Sequence, residues 1–330
     1  MTDASPSADR VLITGASGQD GTYLARRLVA EGRIVHGMCH SERGAVTLAT
    51  GVPGVVTHVC DLGDARRIVE LVEVVRPTHI FNLAGNTSVA RSWGFPAETA
   101  DVLGVGVVRL LQAAWSLGEV SGLPRFVQAS SAEIFGDATQ VPQTEATLRA
   151  PVTPYGAAKN FAHDMVGVYR QRGMFASSAI LYNHESPTRP ESFVARKISK
   201  QVARIARGQA ERLVLGNIDV HRDWGYAPDY VDALIRIAEA DAPDDYIVAT
   251  GVSHTVRDFV DRAFARIGVQ DWQSYVFIDP ELYRPADPKN LVGDPSRLKG
   301  IGWAPSVSFE QLVHIMVDAD LKALDAEGGA

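Results

Sequence analysis

The chain lacks the sequence features of disulfide-rich, membrane-spanning and secreted proteins. It contains two cysteines in 330 residues, and Cys39 and Cys60 offer neither a disulfide framework nor a metal-binding spacing. No apolar stretch approaches ~18 uninterrupted residues, so we expect no membrane-spanning helix. The polar start MTDASPSADR lacks the hydrophobic segment of a secretory signal. These absences predict a cytoplasmic protein without membrane contact, and the histidines show no ligand pattern for a metal.

Positive charge is also scarce relative to negative charge. The formal net charge is −7, which disfavours a nucleic-acid partner because such a partner needs a broad basic surface. With 46% hydrophobic and 22% charged residues, the chain is long enough to bury a substantial core.

Short apolar runs alternate with helical patterns in the first half of the chain. The strand-like runs are 11–14, 34–39, 55–60, 79–84, 126–131 and 178–183, and the helical patterns between them include 98–115 and 155–170. Beyond residue 184 the order loosens, with helical patterns at 193–208, 255–268 and near 308–324 and a strand-like run at 246–250. The pattern predicts an α/β fold: a Rossmann-type doubly wound parallel sheet, with a smaller C-terminal α/β substrate-binding region. We expect residues 1–183 to form mainly the cofactor-binding domain and 184–330 mainly the substrate-binding region, with some segments interleaved.

A glycine-rich turn follows the first predicted strand. In TGASGQDGTYLA, the glycines Gly15, Gly18 and Gly21 precede a helical pattern. Glycine lets the backbone turn tightly and approach a pyrophosphate, and the helix N-terminus then presents N–H groups to the anion. In this strand–turn–helix context the motif predicts a dinucleotide site, since an ordinary glycine turn would need no such arrangement.

The end of the second strand bears on the choice between NAD and NADP. An acidic residue there binds the ribose hydroxyl of NAD, but no acid occurs before Glu42, and His40, Ser41 and Arg43 suit a 2′-phosphate. The sequence therefore favours NADP. After the third strand, Asp61 and Leu62 lie where an adenine edge is read, and Asp61 is equally consistent with a helix N-cap before Ala65.

Tyr155 and Lys159 form Y-x-x-x-K, a pair on one face of a helix. The lysine would hold a nicotinamide ribose and lower the pKa of the tyrosine, which then exchanges a proton with a substrate hydroxyl. Alone, such a pair is more often an ordinary surface contact. Its position after a dinucleotide loop and a serine-bearing strand favours the catalytic interpretation.

Glu133 is a charge at the end of an apolar run, in SSAEIFG. Successive side chains on an extended chain face opposite ways, so Ser131 and Glu133 should face the substrate and Ala132 should face away. Hydride transfer alone needs no such carboxylate, whereas water elimination next to a new ketone needs a base. A salt bridge at a strand end is the alternative.

Several stretches together resemble the GDP-mannose 4,6-dehydratase family of extended short-chain dehydrogenase/reductases. They are TGASGQDGTYLA, QASSAEIFG, PYGAAK, LYNHESPTRPESFVARKI, LGNIDVHRDWGYAPDYV, ATGVSHTVRDFV and LYRPADPKNLVGDPSRL. NHESP, RDWG and YRPA are far more specific than the glycine loop. The resemblance covers nearly the whole chain.

The resemblance implies a set of site residues. The catalytic residues would be Ser131, Glu133, Tyr155 and Lys159. The NADP-binding residues would be Gly15, Ser17, Gly18, Gln19, Asp20, Gly21, His40, Arg43, Asp61, Leu62, Leu83, Ala84, Tyr155, Lys159 and His184. The residues that bind GDP-mannose would be Ser88, Asn183, Glu185, Val194, Lys197, Leu215, Gly216, Arg222, Arg284 and Asp287, with Arg222 and Arg284 on the pyrophosphate.

The sequence departs from the family at a few places. Ser131 replaces the usual threonine, Ala132 a serine and Asp287 a glutamate, and the loop GAVTLATGVPG is shorter than the family's inter-subunit loop. The shorter loop favours a homodimer built on helices 97–118 and 154–172 over the family's homotetramer. Two other functions stay open: a GDP-sugar reductase, epimerase or dehydratase acting on another GDP-hexose or heptose, and a catalytically idle NADP-binding protein.

Overall fold

A computed structural model describes residues 9–283, 288 and 290–328. The strands are β1 (Arg10–Thr14), β2 (Ile34–Cys39), β3 (Val56–Val59), β4 (His79–Asn82), β5 (Arg125–Ser131), β6 (Ala176–Leu181), β7 (Asn183–Glu185), β8 (Leu213–Leu215), β9 (His221–Arg222), β10 (Trp224–Tyr226), β11 (Asp245–Val248), β12 (His254–Thr255), β13 (Val276–Ile278) and β14 (Asn290–Leu291). The α-helices are α1 (Gln19–Ala30), α2 (Glu42–Gly51), α3 (Ala65–Val75), α4 (Val89–Gly94), α5 (Pro96–Ala100), α6 (Gly106–Ser116), α7 (Pro154–Gln171), α8 (Val194–Ala206), α9 (Ala227–Glu239), α10 (Val256–Arg266), α11 (Ser296–Gly300) and α12 (Phe309–Gly328).

The largest sheet has seven strands in the order β11-β6-β5-β4-β1-β2-β3. The pairs from β6 to β3 are parallel, and the order 3-2-1-4-5-6 is that of a Rossmann sheet. The predicted fold class is confirmed. The order of the strands reverses between β1 and β4, and ligands of such sheets bind outside the carboxyl ends of the strands at this point.

The chain divides into two compact units. The first contains the described residues up to Gly136, Leu148–Leu181 and Val231–Tyr246, and the second contains Asp137–Thr147, Tyr182–Tyr230 and the described residues from Ile247 onward. The division of cofactor and substrate binding at residue 183 concerns ligands and stays a prediction.

In the first unit, α3, α6 and α7 bury their apolar faces against one side of the sheet. Leu12, Ile80 and Phe126 on the central strands pack in one cluster with Ile68 of α3 and Leu110 of α6, and all five are fully buried. At ~25 cal/mol per Å² of apolar surface, such burial is the main stabilising contribution to a sheet of this kind.

In the second unit, α8, α10 and α12 pack around short strands. Its core holds Ile198, Leu213, Trp224, Phe259 and Leu312. At the edge of this core, the buried Ser199 hydroxyl donates a hydrogen bond to the Asp320 carboxylate at 2.7 Å. Within the described residues, no helix combines the length and the apolar composition needed to cross a bilayer.

Three elements differ from the sequence prediction. The predicted helix at 98–115 contains a π-helical segment, Asp101–Val105, between α5 and α6. Residues 42–51 form α2, where the sequence indicated only a loop. The strand-like run at 246–250, indicated as part of the C-terminal region, supplies residues 246–248 to β11, an edge strand of the large sheet.

Candidate active site

The glycine loop between β1 and α1 is packed too closely for other residues. Gly15 has a φ of +65°, and a Cβ there would lie 2.8 Å from the carbonyl oxygen of Leu83. A Cβ on Gly21 would lie 2.5 Å from the carbonyl oxygen of Gly15. Gly18 is the N-cap of α1 and supplies no side-chain cap, and a Cβ there would meet only the Gly15 oxygen, at 3.2 Å. The helix N-terminus is therefore accessible to a phosphate group.

A buried polar relay holds the loop after β4 beside the glycine loop. The Thr14 hydroxyl donates to Asn82 Oδ1 at 2.5 Å and accepts from the amides of Leu83 and Ala84, both at 3.2 Å. Asn82 Nδ2 in turn donates to Gln128 Oε1 at 2.7 Å. The relay places Leu83 and Ala84, both predicted cofactor contacts, at the point where the strand order reverses.

The other loop residues predicted to bind the cofactor are half-buried. Gln19 Nε2 donates to Asp20 Oδ1 at 3.1 Å in the first turn of α1. Ser17 lies against the end of β2, where its hydrogen bond to Cys39 opposes the rise in the pKa of that thiol caused mainly by burial.

At the end of β2, one predicted contact has a structural role. Ser41 is the N-cap of α2, and its hydroxyl accepts from the Gly44 amide at 3.3 Å. His40 and Arg43 on either side are exposed, so their side chains are accessible to a charged ligand.

After β3, the structure separates two interpretations of Asp61. The N-cap of α3 is Asp64, which accepts from the Arg67 amide at 3.0 Å, so the interpretation of Asp61 as that cap is wrong. Asp61 is exposed and accepts from the Gly63 amide at 2.7 Å. The side chain of Leu62 is 3% exposed and belongs to the core, so only its main chain is left for the predicted contact.

Tyr155 and Lys159 lie together in the first two turns of α7. The two residues are 6% and 4% exposed, and Lys159 Nζ lies 5.8 Å from the centroid of the Tyr155 ring. Nζ donates to the carbonyl oxygen of Ala129 on β5 at 2.9 Å. Burial lowers the pKa of Lys159 to about 8. The Tyr155 amide donates to the hydroxyl of Ser92 at 3.3 Å.

Glu133 lies next to the start of α7, but for a different reason than the sequence indicated. β5 ends at Ser131, and Ala132–Phe135 form a 3₁₀ turn, so the expectation that strand alternation orients Glu133 with Ser131 is wrong. The Glu133 amide donates to Ser131 Oγ at 3.3 Å, and the residue is 8% exposed. A Cβ on Gly156 would lie 2.6 Å from the Glu133 carbonyl oxygen. Gly156 thus allows α7 to pack directly on the Glu133 turn.

Ser88 has a role in capping. Its hydroxyl accepts from the Arg91 amide at 3.2 Å and caps α4, which supports the segment that carries Ser92. The capping bond uses the hydroxyl as an acceptor, so its O–H is left to donate to the predicted substrate contact.

In the second unit, three predicted residues are consecutive on β7. Asn183 is half-buried and pairs with Trp224 of β10. The ring of His184 stacks on Tyr230 with centroids 4.5 Å apart. Glu185 is 1% exposed and forms an ion pair with Arg189 at 3.3 Å.

The remaining predicted substrate residues are distributed over three elements. Val194 and Lys197 lie in the first turn of α8 and are half-buried. Leu215 ends β8, and a Cβ on the following Gly216 would lie 2.8 Å from the Leu282 carbonyl oxygen. Arg222, which is 5% exposed, donates through Nη1 to the carbonyl oxygens of His221 and Pro288 at 2.7 and 2.9 Å. Arg284 and Asp287 lie outside the described residues.

A Rossmann sheet, a glycine loop at its switch point and a buried tyrosine–lysine pair on α7 define a short-chain dehydrogenase/reductase. The model of the family described as GDP-mannose 4,6 dehydratase matches residues 12–316. GDP-mannose 4,6 dehydratase 2 of Arabidopsis thaliana is 42% identical over 329 residues, covering 96% of this chain and 88% of the relative. The chain belongs to the GDP-mannose 4,6-dehydratase family.

Solved structures show the same fold. UDP-glucose 4-epimerase of Thermus thermophilus in complex with NAD superposes with a TM-score of 0.82 at 25% identity, covering 94% of this chain and 98% of that one. RMD from Pseudomonas aeruginosa complexed with NADPH gives 0.79 at 24% identity, covering 96% of this chain and 100% of that one.

Gly156 and Ser92 are site residues that sequence reasoning missed. Gly156 stands inside the quoted motif PYGAAK, where the absence of a side chain beside the tyrosine was the available signal. Ser92 carries no such signal, because its role depends on α4 folding back to the start of α7. In the part of the chain that the structure describes, no three His, Cys, Asp or Glu side chains are grouped to hold a metal ion.

Proposed function

We propose that the protein converts GDP-mannose to GDP-4-keto-6-deoxymannose and water, with bound NADP. The observation that supports this most directly is the packing of the Glu133 turn on the helix of Tyr155, with Gly156 allowing the close approach. A buried glutamate in a turn that packs on the helix of the buried tyrosine–lysine pair would supply the second base that elimination requires and that simple oxidation or reduction does not.

The glycine loop fits a dinucleotide, because its helix N-terminus has no side-chain cap and Gly18 at that end is exposed. The pyrophosphate would lie on Gly15, Ser17, Gly18, Gln19, Asp20 and Gly21. Asp61, the main chain of Leu62, Leu83, Ala84 and His184 would contact the rest of the cofactor. NADP is proposed over NAD because His40 and Arg43 are exposed at the end of β2 and no acid precedes Glu42.

The GDP portion of the substrate would be held mainly by residues of the second unit. We assign this role to Asn183, Glu185, Val194, Lys197, Leu215, Gly216, Arg222, Arg284 and Asp287, and assign Ser88 to the sugar. Arg222 is supported by its buried guanidinium, which two main-chain carbonyls hold in one orientation, and a planar guanidinium fixed in this way suits the oxygens of a phosphate.

The reaction would use Tyr155, Ser131, Lys159 and Glu133 in sequence. NADP, held by the glycine loop with His40 and Arg43, would supply the hydride chemistry at C4 and C6. Tyr155 takes the 4-hydroxyl proton while Ser131 hydrogen-bonds that oxygen, and Lys159 stabilises the ionised tyrosine. The 4-ketone makes the C5 hydrogen acidic, and Glu133 removes it. The 6-hydroxyl would then leave as water with a proton from Glu133 or Tyr155, and the other of the two protons taken up by these residues would return to C5 as C6 is reduced.

Replacing Glu133 by glutamine tests this assignment. Formation of the 4-keto-6-deoxy product should fall by about 10²–10⁴-fold, the usual contribution of a positioned acid–base group, while the ketone formed at C4 remains trappable. Glu70→Gln, on the exposed face of α3, is the control. The measurement is product mass from GDP-mannose with catalytic NADP, and undiminished water loss in the Glu133 variant would reject the assignment.

We also propose a homodimer built on helices 97–118 and 154–172. Phe161 and Val168 project from α7 with 46% and 45% exposure, and Val105 is 42% exposed. An apolar face of this kind is stabilised when a second copy covers it. Sedimentation of the purified protein distinguishes the dimer from a monomer and from the tetramer. A cytoplasmic location stays a prediction.

A further inference from the structure

Strand β5 and helix α7 share a second buried polar connection besides the bond from Lys159. His163 Nδ1 lies 3.2 Å from Ser130 Oγ, and His163 Nε2 lies 3.3 Å from a carboxylate oxygen of Asp245 on β11. Ser130 and His163 are 3% and 4% exposed. The other carboxylate oxygen of Asp245 accepts from Arg170 of α7 at 2.5 Å. One imidazole therefore joins the helix to two strands of the sheet.

The partners of His163 determine which of its ring nitrogens carries a proton. Burial alone would raise the pKa of Asp245, but hydrogen bonds from His163 and Arg170 hold it well below its usual range. A carboxylate only accepts hydrogen bonds, so Nε2 of His163 carries a proton. When the ring is neutral, Nδ1 accepts from the Ser130 hydroxyl.

A serine, a histidine and an aspartate in line are also the components of hydrolytic triads. Here the Ser130 hydroxyl is buried, so a substrate carbonyl has no access to it. The hydrogen bonds of His163 therefore hold α7 against β5 and β11 and do not contact a ligand.

The neighbouring elements carry the reacting groups. On β5, Ala129 accepts from Lys159, Ser130 bonds His163, and Ser131 is the proposed substrate contact. On α7, Lys159 and His163 are one helical turn apart and face the same strand. Two bonds from successive turns to adjacent strand residues fix the position of α7 along β5.

We propose that His163 is a positioning residue for the dehydratase reaction: its bonds to Ser130 and Asp245 fix α7 on the sheet and so hold Tyr155 and Lys159 opposite Ser131. This inference rests on the proposed roles of Tyr155 and Lys159. Loss of the connection leaves the contacts to GDP unchanged and alters the geometry of proton transfer. A displacement of about 1 Å in such a geometry costs about 10²-fold in rate.

The test compares three replacements of His163 in the full-length enzyme. His163→Phe fills the space without hydrogen bonds, His163→Asn places an amide near the position of Nδ1, and His163→Gln places one near Nε2. We expect kcat to fall about 10–100-fold in His163→Phe, with KM for GDP-mannose changed less than about threefold because most of the proposed GDP contacts lie on other elements. His163→Asn, which can still bond Ser130, should recover at least part of kcat, and recovery by His163→Gln would indicate that the Asp245 bond contributes too.

Two further variants separate positioning from folding. Ser130→Ala removes the same bond from the strand side and should lower kcat. In the double variant with His163→Phe, the fall in kcat should be smaller than the product of the two single falls. Asn160→Ala, on the same helix and bonded to Asp164 at 3.3 Å, should keep kcat. Thermal unfolding is measured for every variant. If His163→Phe and Ser130→Ala lower the unfolding temperature but keep kcat, the inference is overturned and the connection is only structural. An inactive wild-type protein would instead overturn the proposed function together with this inference.

Discussion

The close approach at Gly156 makes a quantitative prediction for a single added methyl group. In Gly156→Ala the new Cβ would lie 2.6 Å from the Glu133 carbonyl oxygen and 3.1 Å from Pro151 Cβ. Ordinary carbon–oxygen contacts begin near ~3.4 Å, so the helix start and the Glu133 turn must separate by about 0.5–1 Å. Alanine favours a helix by about 1 kcal/mol over glycine, whereas overpacking costs about 1–3 kcal/mol. The net loss of unfolding free energy is therefore small, about 0–2 kcal/mol.

The catalytic effect should be much larger than the effect on stability. A separation approaching 1 Å between Tyr155 and Glu133 predicts a fall in kcat of about 10²-fold with a nearly constant KM. The matched control is Gly167→Ala on the same helix, where a Cβ meets nothing within 4 Å. This control should keep kcat and gain up to about 1 kcal/mol of unfolding free energy. Steady-state kinetics and denaturant unfolding check both variants, and a Gly156→Ala enzyme with wild-type kcat would refute the argument.

Two further predictions follow from charge. Burial lowers the pKa of Lys159 from 10.5 to about 8. Between these pH values the unfolded chain binds a proton at Lys159 that the folded chain lacks. The free energy of unfolding therefore rises with pH through this window. Lys159→Met should remove up to about 3 kcal/mol of this rise in the ligand-free protein, which denaturant titrations near pH ~8 and ~10.5 measure; an unchanged rise contradicts the prediction. Arg43→Ala should weaken NADP binding by about 10–100-fold, the effect of losing a charge-assisted hydrogen bond, and should hardly change NAD binding. Titration calorimetry with both cofactors checks this, and equal losses for the two would show that Arg43 does not contact the 2′-phosphate.

The central strands of the main sheet, β1, β4, β5 and β6, were predictable because they are buried on both faces. Their near-continuous apolar runs identify them without any knowledge of neighbours, and β2 has the predicted bounds. The short strands β9, β12 and β14 were not predictable, because each has two residues and is defined only by partners distant in sequence. The same reason explains β11, whose place at the edge of the large sheet depends on tertiary contacts.

The candidate site was predictable to the extent that it depends on local spacing. The distance in sequence between Tyr155 and Lys159 determines that they share a helix face, and the structure places them together. The placement of Glu133 depends on where β5 ends, which the alternation of side chains cannot indicate. His163 was also missed, because a lone histidine in a helix has no meaning until the strand residue Ser130 and the distant Asp245 are known to surround it.

Two independent features near the start of α7, the buried Glu133 and the glycine at position 156, lower the stability of the fold. A carboxylate costs free energy to bury even when it has partners, and Glu133 is 8% exposed. A glycine in the first turn of a helix costs about 1 kcal/mol relative to alanine, and Gly156 stands where its lack of a Cβ permits contact with the Glu133 turn. Either cost alone has an ordinary structural explanation. Both occur where the Glu133 turn packs on the helix of the buried tyrosine–lysine pair, and folds retain such costs mainly where function requires the geometry. Tyr155 and Lys159 suffice for hydride transfer, so the added requirement is the carboxylate, and the reaction that needs a second base is the elimination of water.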